Sequence, residues 1–377
     1  MKQTPLEVTK ERILEIINTD KPSLSIVISS RTISDVRKQL ELKLREAVKL
    51  LSPLFDGKQL DESGYLNALK KLDLDKEIKK MAGTKTLTLF VSKSKVTVFR
   101  ASRYIKATPI VSVGQKSLIR YLIRDLNLNH KYYLLDLSQK STNLYEMDRF
   151  NMECIDKKLG LPEGLQEVYD VQRNSARQQH RVGVGGAVFH GHAGGKNEQD
   201  LVTMNYLYEI DRIINERIPN KQIPIMLAGT ENIIAKYRKI SKYPIIWDSV
   251  IEGSIDKISE SKILEMASIA LSKQVGSDIG KLIQKLEDKL NLGKAATDFE
   301  GIYAAAVEGR IEKLIIKKGL SVWGKVSNGN LDISMSRQPV DDDLVNLLMC
   351  IVMQNGGEVF VDFENQLKTD LIAEFRY

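Results

Sequence analysis

The chain has 377 residues, of which 42% are hydrophobic, so it is long enough for two or three packed domains and too apolar for global disorder. Its net charge of +7 and its pI near 9.0 favour a polyanionic partner such as nucleic acid. The N-terminus lacks an apolar signal core, and no apolar run approaches the roughly 20 residues of a membrane span. We therefore expect a cytoplasmic protein that does not contact a membrane.

The first segment, residues 1–126, predicts an α+β domain whose role the sequence does not indicate. Its predicted elements are a buried strand, an amphipathic helix with Ser34 as N-cap, a hairpin and a second helix: Leu24–Ser30, Ser34–Leu51, Thr86–Phe90 with Lys95–Arg100, and Ser117–Leu126.

The second segment, residues 127–272, predicts an α/β domain that opens with three close strands. These strands are Tyr132–Leu137, Asn143–Asp148 and Met152–Asp156. A long loop over residues 171–197 follows. The remaining elements are a long helix, an apolar strand and two further helices: Glu198–Arg217, Ile223–Gly229, Thr230–Arg238 and Leu264–Lys273.

The third segment, residues 273–377, alternates helices and strands, which predicts a three-layer α/β/α domain. The predicted helices are Asp278–Leu290, Asp298–Glu308 and Asp341–Gln354, the second ended by Gly309 and the third opened by three acidic residues that complement its dipole. The predicted strands are Ile311–Ile316, Glu358–Phe363 and Ile372–Tyr377.

The loop over residues 171–197 has the most unusual composition in the chain. It contains no Asp or Glu, although 28% of all residues are charged, and it holds six glycines. Loops of this length are commonly functional or disordered, and a flexible cationic loop suits a crowded polyanion. The candidate RNA-binding residues are Arg173, Arg177, His180, Arg181, His190, His192, Gly194, Gly195 and Lys196.

Other chemistries fit the loop poorly. A P-loop requires GxxxxGK[ST], but His190 stands at the first glycine position and Asn197 replaces the hydroxyl. The dinucleotide pattern GxGxxG fails at Val188. His190 and His192 lack a third nearby ligand for a metal. We therefore expect no cofactor and no metal.

The sequence also offers little for nucleophilic catalysis, because it contains no GxSxG elbow. The two cysteines, Cys154 and Cys350, stand outside any CxxC or CxxH spacing, and the sequence around each is consistent with burial. They need no disulfide, which fits a reducing compartment.

The loop and the helix after it resemble the central domain of archaeal and eukaryotic peptide-chain release factors and their Pelota-like relatives. Those factors carry HGRGGQS before a long helix, where this chain reads HGHAGGKN over residues 190–197. The stretches Ala304–Gly319 and Ile372–Tyr377 resemble the C-terminal domain of the same factors, which is similar to a ribosomal-protein fold that binds kink-turn RNA. The first segment lacks the stop-codon-reading NIKS and YxCxxxF motifs. The combination resembles the bacterial branch of this family, and within it family 3.

The resemblance implies a ribosome-associated factor that contacts rRNA or tRNA and that a translation GTPase could deliver. In active release factors, a Gly-Gly pair enters the peptidyl-transferase centre and the following Gln helps to organise water. Here Gly194 and Gly195 keep the pair, Lys196 replaces the Gln, and Ala193 is one extra residue. Lysine donates but cannot accept hydrogen bonds, which disfavours hydrolysis by the usual route.

Three functions remain open at this stage. The favoured one is non-catalytic occupancy of ribosomes, for instance in hibernation. The second is a rescue factor that hydrolyses peptidyl-tRNA, for which Gly194, Gly195 and Lys196 would form the active loop. The third is a small-molecule or nucleotide-dependent enzyme on an α/β scaffold.

Overall fold

The computed structural model describes residues 8–18, 23–29, 38–43, 45–47, 49, 86–92, 96–100, 110–114, 116–148, 151–171, 195–327, 329–336 and 341–377. The chain divides into two compact units. Unit 1 comprises Met1–Asn129 and Val275–Tyr377, and unit 2 comprises His130–Gln274. The subdivision of unit 1 into domains over residues 1–126 and 273–377 remains a prediction.

Mixed helices and sheets in both units confirm the predicted α/β fold class. Described helices cover Lys10–Ile17, Arg120–Asn127, Asp156–Leu159, Gly195–Arg217, Glu231–Ile240, Glu260–Leu290, Phe299–Val307 and Leu344–Gln354. The first strands are β1 (Ser23–Ser29), β2 (Thr86–Val91), β3 (Val96–Arg100), β4 (Ile110–Gly114), β5 (Tyr132–Leu137), β6 (Thr142–Met147), β7 (Met152–Cys154) and β8 (Ile225–Gly229). The others are β9 (Ile246–Glu252), β10 (Ala295–Ala296), β11 (Ile311–Lys317), β12 (Trp323–Ser327), β13 (Asn330–Ile333), β14 (Asp342–Asp343), β15 (Glu358–Asp362) and β16 (Leu371–Phe375).

The N-terminal part of unit 1 is an antiparallel sheet in the order β3-β2-β1-β4. The predicted hairpin is confirmed as β2 and β3. One face of the sheet packs around Ile26 and Leu89 together with Leu40 and Ala47 of a helical stretch. Part of the predicted helix Ser34–Leu51, including its N-cap Ser34, lies outside the described residues.

The C-terminal part of unit 1 is a sheet in the order β10-β16-β11-β15, covered on both faces. On one face Leu314 lies in a core with the helices Phe299–Val307 and Leu344–Gln354. On the opposite face Glu374 forms an ion pair with Lys289 of the long helix that enters unit 1. The predicted three-layer α/β/α arrangement is thus confirmed.

That long helix corrects one prediction. The two helices predicted on either side of residue 275 are one helix of 31 residues, Glu260–Leu290. Two glycines, Gly276 and Gly280, lie within it. In the structure Gln366 packs on them: its Nε2 donates to the carbonyl of Gly276 over 2.8 Å, and a Cβ on Gly280 would lie 2.1 Å from its Oε1. The glycines therefore allow close packing in a continuous helix.

The helix predicted to begin at Asp341 begins at Leu344 instead. Asp342 and Asp343 form β14, which pairs with β12. The Asp343 carboxylate then caps the helix by accepting from the Asn346 amide over 3.0 Å. The adjoining hairpin of β12 and β13 was not predicted, although Asn328–Gly329 between the two strands is a typical hairpin-turn sequence.

The two halves of unit 1 share one hydrophobic core. Residues before position 130 in this core include Val8, Ile13, Ile16, Phe90, Phe99, Ile119, Leu122 and Ile123. They pack with residues after position 299, including Ile302, Leu314, Ile316, Leu344, Leu348 and Met353. The N-terminal segment is therefore a structural part of the unit that contains the C-terminal sheet.

Two buried asparagines connect these halves. The Oδ1 atom of Asn346 accepts from the amides of Ile119 and Arg120 over 2.8 and 3.2 Å, and its Nδ2 donates to the Ser117 carbonyl over 2.9 Å. Asn127 bonds the edge strand β15 through the Val359 carbonyl and the Val361 amide. Each side chain satisfies backbone groups that burial would otherwise leave unpaired.

Unit 2 is a five-stranded sheet in the order β7-β6-β5-β8-β9. Strands β5, β8 and β9 run parallel, while β6 is antiparallel to both of its neighbours. Helices Gly195–Arg217 and Glu231–Ile240 pack on one face around Leu135 and Leu227. The edge strand β9 was not predicted, because Pro244 and the polar Asp248–Ser249 pair interrupt its apolar run.

None of the described helices is both long and apolar enough to cross a bilayer.

Candidate functional site

The candidate site is the base of the cationic loop in unit 2. Gly195 and Lys196 form the first turn of the helix Gly195–Arg217, three residues before the predicted start at Glu198. The other candidate RNA-binding residues lie outside the described residues: Arg173, Arg177, His180, Arg181, His190, His192 and Gly194. The segments on both sides of the loop are attached to the sheet of unit 2.

The end that follows the loop is anchored by Tyr206. Its hydroxyl donates to the carbonyl of Ser138 over 2.6 Å and is also bonded to the Thr142 hydroxyl. Tyr206 is fully buried, as are Leu207 and Ile210. The helix is therefore fixed where β5 ends and β6 begins.

The segment that precedes the loop is anchored at the turn over residues 138–142, which joins β5 to β6 and also binds Tyr206. The amide of Leu165 donates to the carbonyl of Gln139 over 3.0 Å, and the amide of Thr142 donates to the carbonyl of Glu163 over 3.0 Å. Gly164 lies so close to the turn that a Cβ would be 2.7 Å from the Lys140 carbonyl oxygen. The turn over residues 138–142 thus contacts the chain on both sides of the loop, at residues 163–165 before it and at Tyr206 after it.

The first turns of the long helix carry few buried groups. Gln199 and Asp200 are exposed, and Leu201 is 62% exposed. Asp200 forms an ion pair of 2.7 Å with Lys236 of the neighbouring helix. The amides of the first helical turn have no partner within the helix, so this end favours anions. A lysine here is unfavourable for the helix dipole unless an anion binds beside it.

A cleft of about 480 Å³ lies beside the base of the loop. Its lining combines apolar and charged side chains from both flanking helical stretches: Gly160, Pro162, Glu167, Val168, Val171, Asn205, Tyr208, Glu209, Arg212 and Ile213. The guanidinium of Arg212 is bound between Glu209 and Glu216 at 2.6 Å, which lowers the pKa of Glu209. The cleft therefore holds a charge cluster in which the carboxylates outnumber the single guanidinium.

Asp136 is a buried carboxylate at the carboxyl end of β5, next to the anchoring turn. Burial raises its pKa to about 6, and the charge of Asp256 adds to the rise. The Asn143 amide, which donates to Oδ2 over 3.4 Å, opposes it. No described residue gives Oδ1 a hydrogen bond. The folded protein therefore binds a proton at Asp136 more tightly than the unfolded chain does.

This pKa predicts a pH dependence of stability. The stabilising effect of the bound proton is complete below the unfolded pKa of about 3.8 and is lost as pH rises through about 6. Asp136→Asn should therefore stabilise unit 2 by about 2 kcal/mol at pH 8 and have little effect near pH 4. Urea unfolding of both proteins at the two pH values measures this. An equal difference at pH 4 and pH 8 would contradict the assignment.

The cysteines differ in environment. Cys350 is buried as predicted, whereas Cys154 is exposed, which corrects the prediction of burial. The pKa of the Cys154 thiol is nevertheless raised to about 11, by partial desolvation and by the Asp156 carboxylate to which it donates. Neither thiol is an activated nucleophile. Among the described residues, no group of three His, Cys, Asp or Glu side chains could hold a metal ion.

Comparison with known families identifies this unit. Residues 132–272 match the model of bacterial archaeo-eukaryotic release factor family 7. Over these residues the chain is similar to the bacterial branch of the archaeo-eukaryotic release factors. The branch recognised from the sequence is confirmed, but its narrower assignment to family 3 is not, since the matching model is that of family 7.

Solved structures similar to the whole chain include translation factors. An archaeal translation termination factor is 14% identical, with 99% of each chain covered and a TM-score of 0.24. Dom34 of S. cerevisiae is 12% identical, with 99% of this chain and 94% of that chain covered and a TM-score of 0.32. Pelota of Archaeoglobus fulgidus is 10% identical, with 98% and 93% covered and a TM-score of 0.38. The curated protein sequences gave no significant match.

Sequence reasoning found the loop of this release-factor unit but missed its supports. Tyr206 read as one apolar position in a helical pattern, although a buried tyrosine usually needs a partner for its hydroxyl. Asp136 gave a usable signal, because it is a charged residue inside the otherwise apolar strand YYLLDL.

Proposed function

We propose that the protein is a cytoplasmic, ribosome-associated translation factor whose loop over residues 171–197 contacts rRNA or tRNA. The observation that carries the proposal is the release-factor family match over residues 132–272, which includes the loop and its helix. The loop's charge supports it, because the loop has cations and no acid. In this function Arg173, Arg177, His180, Arg181, His190, His192 and Lys196 bind phosphates or bases, while Gly194 and Gly195 allow close backbone approach.

The position of Lys196 favours occupancy of the ribosome over hydrolysis. Lys196 belongs to the first turn of the helix, and the free amides of a first turn attract phosphate. An ammonium group suits a phosphate as a point charge, but it cannot accept the hydrogen bond that a glutamine accepts. We infer that the protein occupies ribosomes, as a hibernation factor would, without cleaving peptidyl-tRNA. A delivering GTPase is compatible with this function.

Ribosome co-sedimentation tests the proposal. The protein should pellet with ribosomes at about 50 mM salt, and the bound fraction should fall steeply by about 200 mM because phosphate contacts release counterions. The assay should include both empty ribosomes and stalled complexes. Protein that stays in the supernatant with both preparations at low salt would refute ribosome association.

A release assay separates occupancy from hydrolysis. With peptidyl-tRNA on stalled ribosomes, we expect no release above the ribosome-only background at any protein concentration. Release that Gly195→Ala abolishes would instead establish the rescue hydrolase, because that change adds a side chain where a glycine pair enters the RNA site. A thermal-shift assay with nucleotides tests whether the protein is instead a nucleotide-dependent enzyme, since a specific small ligand would raise the melting temperature.

A further inference from the structure

The amino end of the central sheet gathers a second set of cations. Strands β5, β8 and β9 are parallel and begin at the same edge, so the segments that lead into them lie together. The Tyr133 amide donates to the Pro224 carbonyl over 2.8 Å, and the Ile225 amide donates to the Ile245 carbonyl over 2.9 Å. The Tyr243 hydroxyl donates to the Ile223 carbonyl over 2.7 Å. We call this surface the amino-edge patch.

The amino-edge patch consists of Trp247 and five exposed basic or titratable residues: His130, Lys131, Lys221, Lys239 and Lys242. Three carboxylates near these residues are already engaged, and a fourth, Glu146, lies opposite Tyr133 on β6. Asp248 pairs with Arg238 at 4.0 Å, and Asp148 accepts from Asn151 at 2.8 Å. The buried Asp211 accepts from the Ser241 hydroxyl at 2.6 Å and from the Lys242 amide. Exposed charge on this patch is therefore predominantly positive.

The patch contains one tryptophan, which packs against two other aromatic residues. Trp247 is half-buried, with its ring 5.2 Å from that of Tyr132 and at right angles to His130 at 6.2 Å. It lies in a bulge, because the pairing of β8 with β9 moves from Ile225–Ile246 directly to Leu227–Val250.

Side chains hold this bulge in place. Arg238 donates to the Trp247 carbonyl over 2.5 Å, and the Ser249 amide donates to Gln274 Oε1 over 3.0 Å. The indole is thus presented on a fixed backbone, which reduces the ordering cost of binding. Bulges at sheet edges commonly direct a side chain toward a functional surface.

An aromatic platform between exposed lysines is the arrangement that recognises single-stranded nucleic acid. A base stacks on the ring in a sequence-tolerant way, and the flanking phosphates pair with the cations. An acidic protein would use the lysines but would gain little from the indole. The aromatic therefore favours RNA over an acidic polypeptide.

We propose that the amino-edge patch is a second RNA-binding surface, which stacks an unpaired base on Trp247 and binds its neighbouring phosphates through Lys131, Lys239 and Lys242. It is separate from the turn over residues 138–142, which contacts the segments flanking the loop and lies where β5 ends rather than where it begins. The inference rests on the proposed function only in naming ribosomal RNA as the natural partner. Binding itself can be measured without ribosomes.

The test uses the fluorescence of Trp247 in the full chain with Trp323→Phe, which removes the other tryptophan. The probe is a single-stranded RNA oligonucleotide of mixed sequence. We expect quenching that saturates, and an affinity at least tenfold lower in the variant Lys239→Glu with Lys242→Glu. The slope of log affinity against log salt should fall by about 1.4 in that variant, because two contacts to single-stranded phosphates are lost.

Matched controls make the test decisive. Lys285→Glu with Lys294→Glu has the same total charge and changes two exposed lysines of unit 1, so it should leave the affinity unchanged. Heparin and polyglutamate carry charge without bases and should cause little quenching. Equal loss of affinity in both double variants, or equal quenching by polyglutamate, would overturn the inference.

Ribosome co-sedimentation separates this inference from the proposed function. The protein could bind the oligonucleotide through Lys239 and Lys242 but fail to bind ribosomes. That result would support RNA binding by the amino-edge patch and refute the proposed function. If the protein bound ribosomes but its binding to the oligonucleotide did not depend on Lys239 and Lys242, the proposal that the amino-edge patch binds RNA would be refuted.

Discussion

Replacing Asn346 with alanine should lower the free energy of unfolding of unit 1 by about 3 kcal/mol. The side chain is 3% exposed and bonds the amides of Ile119 and Arg120 and the carbonyl of Ser117. Alanine would remove the acceptor of the two amides and a donor to the carbonyl, and each buried group that loses its partner costs about 1–3 kcal/mol before any relaxation. The loss should be large because these contacts join residues more than 220 positions apart in sequence.

The measurement can be confined to unit 1. The two tryptophans are divided between the units, so Trp247→Phe leaves Trp323 in β12 as the reporter of unit 1. Urea unfolding in that background should move to lower denaturant for Asn346→Ala. Gln354→Ala is the matched control. It removes an exposed amide of the same helix that bonds Asn18 at 2.6 Å, and it should cost less than about 0.5 kcal/mol. An equal loss of unfolding free energy in Asn346→Ala and Gln354→Ala would contradict the role assigned to Asn346.

Replacing Arg173, Arg177 and Arg181 together with glutamine should weaken ribosome binding by about ten- to a hundredfold near physiological salt. Glutamine keeps a polar side chain of similar length but removes three charges that we assign to RNA phosphates. Each lost phosphate contact should also reduce the slope of log affinity against log salt by about 0.7–0.9. Sedimentation across a salt series gives both quantities.

Lysine at the same three positions is the control. Lysine retains the charge, so binding should stay within a few-fold of the original protein if the arginines act mainly as cations. Unfolding curves of both triple variants should match the original, because the sequence predicts a surface loop for these residues. An unchanged affinity in the glutamine variant would remove the loop from the ribosome interface.

How much the sequence predicted depends on the range of the interaction involved. Local apolar patterns placed β5 correctly to the residue and found the hairpin of β2 and β3. Local sequence patterns gave wrong helix boundaries where a contact with a residue distant in sequence determines the structure. Two helices were predicted over Leu264–Lys273 and Asp278–Leu290, but the structure has one continuous helix, in which Gln366 packs on Gly276 and Gly280. Tertiary context overrides helix propensity in such cases.

The candidate site likewise has local features that the sequence predicts and long-range contacts that it does not. The composition of the loop is local and is visible as a run without acids. Its anchoring through Tyr206 to Ser138 spans 68 positions and has no local signature. The amino-edge patch depends on three parallel strands starting together, so the strand order had to be known before Lys131, Lys242 and Trp247 could be grouped.

Hydroxyl-radical probing from the start of the long helix tests most directly that the loop enters a ribosomal RNA site. An iron chelate can be attached at Gln199→Cys, an exposed position in the second turn of the helix. The native thiols should react little near pH 7, because the pKa of Cys154 is raised to about 11 and that of Cys350 to about 12. The account predicts cleavage of large-subunit rRNA around the peptidyl-transferase centre, which disappears when the same probe is carried by the triple glutamine variant. Cleavage that is absent, or that is identical in the two proteins, would contradict it.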